Sequence, residues 1–224
     1  SNFRLASNCV ELMDYSSSER LFTAYPLFHA NARYTTVLPA LLADCDVVLH
    51  EKFSISRFWD ICRREQVTAF NALGSLFTLL MKQPERPDDA DHNVRKAYGG
   101  PTPVEIYDDF RKRFGVKVSE IYGLTEVATV TNNSADSFRL GSCGRAVPYY
   151  EIEIHDDDDQ KCPPGVVGEI VIRPKEPGVM FTGYYGMPEA TLAVWKNLWF
   201  HTGDRGRLDE DGYLYFVDRK KDAI

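Results

Sequence analysis

Much of what nucleotide and metal proteins commonly display is missing from this sequence. It contains no G-x-x-x-x-G-K-[ST] loop and no G-x-G-x-x-G turn, which argues against P-loop ATPases and dinucleotide oxidoreductases. No C-x-x-C pair occurs either. The five cysteines, Cys9, Cys45, Cys62, Cys143 and Cys162, are odd in number and widely spread, so neither a disulfide framework nor a zinc site is expected, and reduced, mostly buried thiols are. No apolar run approaches the roughly 18 residues needed to cross a bilayer. The opening stretch "SNFRLASNCVELMDYSSSE" lacks the basic-then-apolar order of a signal peptide, and a cytoplasmic protein is expected. Basic residues are outnumbered 26 to 33, and the net charge of -7 repels phosphate backbones at long range, which disfavours nucleic acid as a partner.

What is present suits a packed core: 44% of the 224 residues are hydrophobic and 26% charged. Apolar strand-like runs alternate with helix-period segments. "RLFTAYPLF" (20 to 28) reads as a strand entering a loop, "ARYTTVLPALLADC" (32 to 45) as a helix containing Pro39, and "DVVLH" (46 to 50) as the next strand. In "SISRFWDICRREQ" (54 to 66), Ile55, Phe58, Trp59 and Cys62 fall at helical spacing. "VTAFNAL" (67 to 73) is strand-like and leads into "SLFTLLMKQ", which Pro84 ends before a polar loop.

The segment from 94 to 126 is the most legible, with a strand, a Gly-Gly-Pro turn, a helix and a second strand. Thr102 and Glu105 have the spacing of a capping box with Pro103 at the first helical position; Tyr107, Phe110 and Phe114 mark a buried face, and Gly115 is placed to end the helix. Past about residue 140 the pattern becomes antiparallel. "YEIEIHDDDDQKCPPGVVGEIVIRP" (150 to 174) and "RLDEDGYLYFVDR" (207 to 219) read as strand pairs, the latter with Asp211-Gly212 at its bend, and "PEATLAVWK" (188 to 196) as a short helix between them. The expected fold is α/β: a largely parallel sheet flanked by helices over 1–140, plus a smaller antiparallel β-rich subdomain over 141–224.

In a parallel sheet, ligands bind outside the carboxyl ends of the strands. Tyr98-Gly99-Gly100 and Ile121-Tyr122-Gly123 are both strand exits, so they are expected to open onto one crevice. Gly99 and Gly100 have no side chain to hold off a flat ring, and the helix following Pro103 turns its positive end the same way. A planar, phosphorylated ligand suits such a place.

These stretches carry a resemblance. "GGP" (99 to 101), "YGLTE" (122 to 126), "GEIVIRP" (168 to 174), "GYY" (183 to 185), "WFHTGD" (199 to 204) and "GYLYFVDRKKD" (212 to 222) stand in the order and spacing of the adenylate-forming superfamily of acyl-CoA synthetases, luciferases and peptide-synthetase adenylation domains. The resemblance runs from about Tyr25 to the end of the chain. Within the superfamily, "HEKFSISRFWDICRREQVT" (50 to 68) and "YFVDRKKDAI" (215 to 224) look most like crotonobetaine/carnitine-CoA ligases.

The resemblance implies an enzyme that joins a carboxylic acid to the α-phosphate of ATP, releases pyrophosphate, and passes the acyl group from AMP to coenzyme A. It places Glu126 on Mg²⁺, an ion usually held by one or two carboxylates with phosphate oxygens and waters. It gives the Thr125 hydroxyl to the α-phosphate. The turn Gly99, Gly100, Pro101 and the pair Tyr122, Gly123 fall to the nucleotide, Asp204 and Arg219 to the ribose, and Phe216 to the nucleoside. His29, with Asn71, Gly74 and Ile121, would shape the acyl pocket, and Lys221 would be the hinge about which a C-terminal domain swings. Tyr25, Phe28, Phe70 and Phe77 could house a quaternary ammonium or equally line a fatty-acyl or aryl pocket.

Plainer readings stand beside these. Glu126 could be a solvated turn residue, Asp204 a turn cap, and His29 a hydrogen-bonded core histidine. The run "HDDDDQK" (155 to 161) fails as a calcium loop, since Lys161 stands where glycine is needed and Val167 where the bidentate Glu belongs, so a solvated hairpin tip is expected. The family's phosphate loop is expected to precede residue 1 and its C-terminal lysine to follow the hinge, both outside this sequence. The expectation is a truncated acid-thiol ligase whose isolated chain turns over negligibly, since losing one preorganised electrostatic donor typically costs about 10² to 10³ in rate. A peptide-synthetase-type adenylation domain and a non-catalytic nucleotide- or acyl-binding module are the alternatives.

Overall fold

A computed structural model describes residues 2–50 and 54–219. The chain divides into two compact units, the first made of Asn2–Ile121 and Ser134–Gly141, the second of Tyr122–Asn133 and the chain from Ser142 onward.

The first unit carries the parallel sheet. Strands β1 (Arg20–Thr23), β2 (Asp46–Leu49), β3 (Ala69–Ala72), β4 (Lys96–Gly99) and β5 (Lys117–Leu124, whose last three residues belong to the second unit) lie in the order β2-β1-β3-β4-β5, every neighbouring pair parallel. Successive side chains along a strand point to opposite faces, and here both faces are covered. Phe22, Phe70 and Ala97 join the core formed with α4 (Phe58–Arg64), α5 (Gly74–Met81) and α6 (Tyr107–Phe114). Their neighbours Leu21, Ala69 and Tyr98 join a second cluster with Cys9, Met13 and Ala40, from α1 (Asn2–Met13) and α3 (Leu38–Ala43).

The expected α/β alternation is present, with local differences. The N-terminal segment, given no element above, is the helix α1; Leu5, Cys9 and Met13, four residues apart, make its buried face. The helix around Pro39 is split into α2 (Ala30–Ala32), a π-helical turn over Arg33–Val37, and α3, whose second residue is Pro39; the π-helical turn falls immediately before the position where proline removes an N–H from the helical ladder. The capping box at Thr102 does not form. Pro103 is extended at ψ 130, a 3₁₀ turn over Val104–Ile106 precedes α6, and no side chain caps it. The Thr102 N–H goes instead to Glu120 Oε1, 2.5 Å away. Gly115 ends α6 as expected, at φ 67.

At the amino ends of the strands a polar network closes on itself. Glu19, only 5% exposed, accepts from the Thr68 hydroxyl and pairs with Lys96 at 3.2 Å and Arg95 at 3.3 Å, while Lys96 also donates to the Met13 carbonyl at 2.7 Å. The α1 C-terminus is thereby tied to the sheet.

The second unit is antiparallel. Strand β6 (Ala128–Asn133) pairs with β7 (Arg145–Ala146), and β8 (Tyr150–His155), β9 (Gly168–Pro174), β10 (Trp195–Lys196), β11 (Trp199–Leu208) and β12 (Leu214–Arg219) form a sheet in which β9 and β11 are central. Helix α7 (Pro188–Val194) precedes β10. The acidic run is a turn, Asp156 accepting from the N–H groups of Asp158 at 3.0 Å and Gln160 at 2.9 Å. His155, 5% exposed, lies with Nδ1 2.7 Å from Asp159 and Nε2 3.0 Å from Glu153. Two carboxylate acceptors at the two ring nitrogens call for two N–H donors, hence an imidazolium. All five cysteines are free; Cys9 and Cys62 are buried and the other three half-buried. No described helix is long and apolar enough to cross a membrane.

Two stability predictions follow from this packing. Phe58 is fully buried, with ring centroids 5.4 Å from Phe22 and 5.1 Å from both Trp59 and Phe70. Truncation by Phe58→Ala is expected to cost about 3–5 kcal/mol in urea unfolding. For His155, burial lowers the pKa, but the bonds to Asp159 and Glu153 outweigh it and the net shift is upward. A folded pKa above the unfolded value of about 6.5 gives stability that is complete below that value and lost as pH rises through the folded one. His155→Gln should therefore destabilise the protein most near pH 6, with the difference from the parent shrinking toward pH 9 in parallel denaturation curves.

Candidate active site

In the first unit the expected ligand residues gather at the carboxyl ends of the strands. Gly99 ends β4 in register with Ala72 of β3 and Glu120 of β5. Its φ is 144, and a Cβ there would fall 1.8 Å from the Ala72 carbonyl oxygen, so only glycine permits this approach. The same oxygen accepts the Gly100 N–H at 2.9 Å, and Pro101 follows through a cis bond. Gly74, at the start of α5, lies beneath this turn, where an added Cβ would be 2.4 Å from the Pro101 oxygen.

Asn71 is 2% exposed; its Nδ2 donates to Asn31 Oδ1, and its own Oδ1 is buried with no hydrogen-bond partner among the described residues. His29 is exposed, not a core residue, and its Nδ1 caps α2 by accepting the Asn31 N–H at 3.2 Å. The Tyr25 ring lies 6.4 Å from that imidazole, and its hydroxyl accepts the Leu73 N–H at 2.7 Å. Ile121 packs against the cluster of Tyr98 and Leu21.

Sequence reasoning overlooked Glu120. It is 4% exposed, its carboxylate holds the Thr102 N–H just past the glycine turn, and burial raises its pKa against the lowering effect of Thr102. An acidic residue between buried Val118 and Tyr122 on an alternating strand was the available signal.

In the second unit, Tyr122, Asp204, Phe216 and Arg219 come together. The Tyr122 hydroxyl donates to Asp204 Oδ2 at 2.8 Å, Arg219 Nε lies 3.2 Å from Oδ1, and the Phe216 ring is 6.3 Å from that of Tyr122. A bulge aims the carboxylate: the four steps from His201 to Arg205 on β11 face only two, Val171 to Glu169, on β9. Within the bulge the Asp204 N–H donates to Thr202 Oγ1 at 3.0 Å, and that hydroxyl donates to the Ile170 carbonyl at 2.7 Å. Asp204 is therefore more than a turn cap. Burial raises its pKa, Tyr122 and Arg219 lower it, and Glu126 adds to the rise, the balance being upward.

Thr125 and Glu126 sit in the tight turn between β5 and β6. Gly123 makes this turn possible, since a Cβ would lie 1.7 Å from the Ala128 oxygen. Thr125 is exposed and Glu126 half-buried. The Glu126 carbonyl accepts the Phe181 N–H at 2.8 Å, and its Oε1 accepts the Tyr184 hydroxyl at 2.8 Å. Burial, then that bond, pushes the Tyr184 phenol up to about 12, so it stays a donor at any working pH. Glu126 Oε2 makes no hydrogen bond to a described residue. Beside it, the buried Tyr150 hydroxyl reaches two carbonyls, Val127 and Val179, each at 2.6 Å. The motif "GYY" was noticed in the sequence, but the bond from Tyr184 to Glu126 was not. Lys221, the expected hinge, lies outside the described residues.

Comparison with known proteins places these features in a family. The profile described as AMP-binding enzyme matches residues 1–194, and the chain belongs to that family. It is 40% identical over 207 residues to a crotonobetaine/carnitine–CoA ligase of Salmonella heidelberg, covering 90% of this chain and 40% of that protein. The corresponding protein of Salmonella typhi is 39% identical over 206 residues, with the same coverage. The chain thus spans about 40% of the length of the curated relatives it matches. Among solved structures, O-succinylbenzoate coenzyme A synthetase (MenE) of Bacillus subtilis, in complex with ATP and magnesium ion, superposes with a TM-score of 0.84 at 29% identity, covering all of this chain and 46% of that one. ATP-bound MatB from Rhodopseudomonas palustris gives 0.87 at 26% identity, covering 99% and 45%.

A carboxylate whose pKa is raised by burial costs stability at neutral pH, because its charged form is the disfavoured one. Asp204→Asn is accordingly expected to keep or raise the melting temperature at pH 7.5. Differential scanning fluorimetry of the variant beside the parent checks it.

Proposed function

We propose that this chain is part of an AMP-forming acid-thiol ligase that adenylates a carboxylic acid with ATP and passes the acyl group to coenzyme A. The reading is carried by one arrangement in the second unit: Asp204, buried and held between the Tyr122 phenol and the Arg219 guanidinium, with Glu126 offering an unbonded carboxylate oxygen. Two acidic side chains in unlike settings suit two tasks. Asp204, with donors fixed on both of its oxygens, would accept from ribose hydroxyls, with Arg219 beside it and Phe216 against the nucleoside. Glu126 would take a magnesium ion, and the donor set fits. Among the described residues no group of three or more His, Cys, Asp or Glu side chains is arranged to hold a metal, so the other ligands would be phosphate oxygens and water, the usual arrangement for this ion. When bound, magnesium would offset charge on the phosphate oxygens.

The exposed Thr125 hydroxyl would donate to the α-phosphate. In the first unit, the turn at Gly99, Gly100 and Pro101, whose two glycines carry no side chain, would accept a flat base, and Asn71, Gly74, His29 and Ile121 would shape the acyl pocket. The unpartnered Oδ1 of Asn71 supports that role, since a buried acceptor without a donor is costly unless a ligand completes it. The likeness to crotonobetaine/carnitine–CoA ligases favours a carnitine-like acid as substrate. The division into an α/β part (1–140) with the acyl and adenine pocket and a β-rich part (141–224), the cytoplasmic location, the hinge at Lys221 and negligible turnover by the isolated chain belong to the same proposal.

The test is ATP–pyrophosphate exchange followed by thioester formation, with carnitine, crotonobetaine, fatty acids and aryl acids offered to the intact protein. Exchange with a carnitine-like acid and transfer to free coenzyme A are expected. Glu126→Gln should lower the exchange rate by about 10² or more, the scale of losing one electrostatic contact in a transition state. Transfer only to a carrier protein would move the assignment to a peptide-synthetase-type domain, and absence of exchange with every acid would leave a binding module.

A further inference from the structure

Of the two tyrosines in "GYY", one is fully exposed and the other is bonded to the residue read above as the magnesium ligand. Tyr184 donates its phenolic proton to Glu126 Oε1 at 2.8 Å from a position 58 residues away in the chain. We propose that Tyr184 is the positioning residue for the cation at Glu126, its phenol occupying one carboxylate oxygen so that Oε2 is presented as the ligand atom. This rests on the reading of Glu126 as a magnesium ligand and adds to it how the carboxylate is aimed.

The segment bearing Tyr184 is built to hold that phenol in place. The Tyr184 N–H donates to Thr191 Oγ1 at 2.9 Å, and the Thr191 hydroxyl donates onward to the Met187 carbonyl at 3.0 Å. Gly183, at φ 144, lets the chain pass so close to Thr191 that a Cβ would lie 3.1 Å from its methyl carbon. The Phe181 ring packs edge-on against Tyr184 at 5.0 Å and against Phe200 at 5.5 Å. Phe181 also gives its N–H to the Glu126 carbonyl, so one short segment grips Glu126 at both main chain and carboxylate. A glutamate has several rotatable bonds, and ordering it at the moment of binding weakens affinity; a tether made beforehand removes that cost. Magnesium demands near-ideal octahedral geometry, which makes it sensitive to a carboxylate that wanders.

The experiment uses the intact protein with Mn²⁺ as a paramagnetic probe and a non-hydrolysable ATP analogue, free Mn²⁺ being counted by electron paramagnetic resonance. In Tyr184→Phe, the dissociation constant for Mn²⁺ should rise about tenfold, the scale of losing a hydrogen bond to a charged group. Affinity for the metal-free analogue and the melting temperature should stay as in the parent. Tyr185→Phe should bind Mn²⁺ as the parent does, and Glu126→Gln should lose the site. If Tyr184→Phe does not fold, Thr191→Val, which frees the Tyr184 main chain, should weaken Mn²⁺ in the same direction by a smaller factor. Unchanged Mn²⁺ affinity in Tyr184→Phe, or in Thr191→Val where that is the variant studied, overturns the inference while leaving Glu126 as the ligand. A parent that binds Mn²⁺ no better than Glu126→Gln overturns both.

Discussion

A parallel sheet buried on both faces leaves a polar ligand nowhere to go except the ends of its strands. In this protein Leu21 and Phe22, Ala69 and Phe70, Ala97 and Tyr98 send alternate side chains into two separate hydrophobic clusters, so neither face can open without exposing a core. The two ends are treated differently. At the amino ends, Glu19 finds Thr68, Arg95 and Lys96, and the charges are spent on one another. At the carboxyl ends the chain presents bare glycine backbone, a buried Asn71 oxygen without a partner, and Glu120 behind the turn. Among the described residues the carboxyl ends thus keep bare backbone and an acceptor available, at the edge where ligands bind in open α/β sheets.

The antiparallel unit holds two carboxylates in unlike surroundings. Asp204 is desolvated and therefore pushed toward its neutral form, while a phenol and a guanidinium on its two oxygens favour the carboxylate without cancelling that shift. Glu126 takes the other course and stays half in solvent at a turn tip. Asp204 is thus buried between fixed donors, whereas Glu126 remains accessible to solvent.

Where a feature is written in neighbouring residues, the sequence was enough to read it. The alternation of strands and helices, the Gly115 stop and the bend at Asp211-Gly212 each depend on a few adjacent positions. Features fixed by distant partners were hidden. The pattern around Thr102 promised a capping box, but the N–H it needed is claimed by Glu120, eighteen positions on. Helix α1 carried a readable four-residue spacing in Leu5, Cys9 and Met13, overlooked because the stretch was weighed only as a leader. The turns at Gly99–Pro101 and at Gly123 were legible because glycines mark strand exits. What aims their side chains, Tyr184 above all, comes from segments that no local pattern links to them.

One phenol oxygen, that of Tyr150, stands within 2.6 Å of the carbonyls of both Val127 and Val179. A hydroxyl has a single proton, so at any instant one carbonyl receives it and the other waits; exchange between them is a rotation about one C–O bond. Val127 directly follows Glu126, and Val179 stands two residues before Phe181, where the segment leading to Tyr184 begins. One buried hydroxyl therefore ties together the main chains of the two segments that meet at the Glu126 carboxylate.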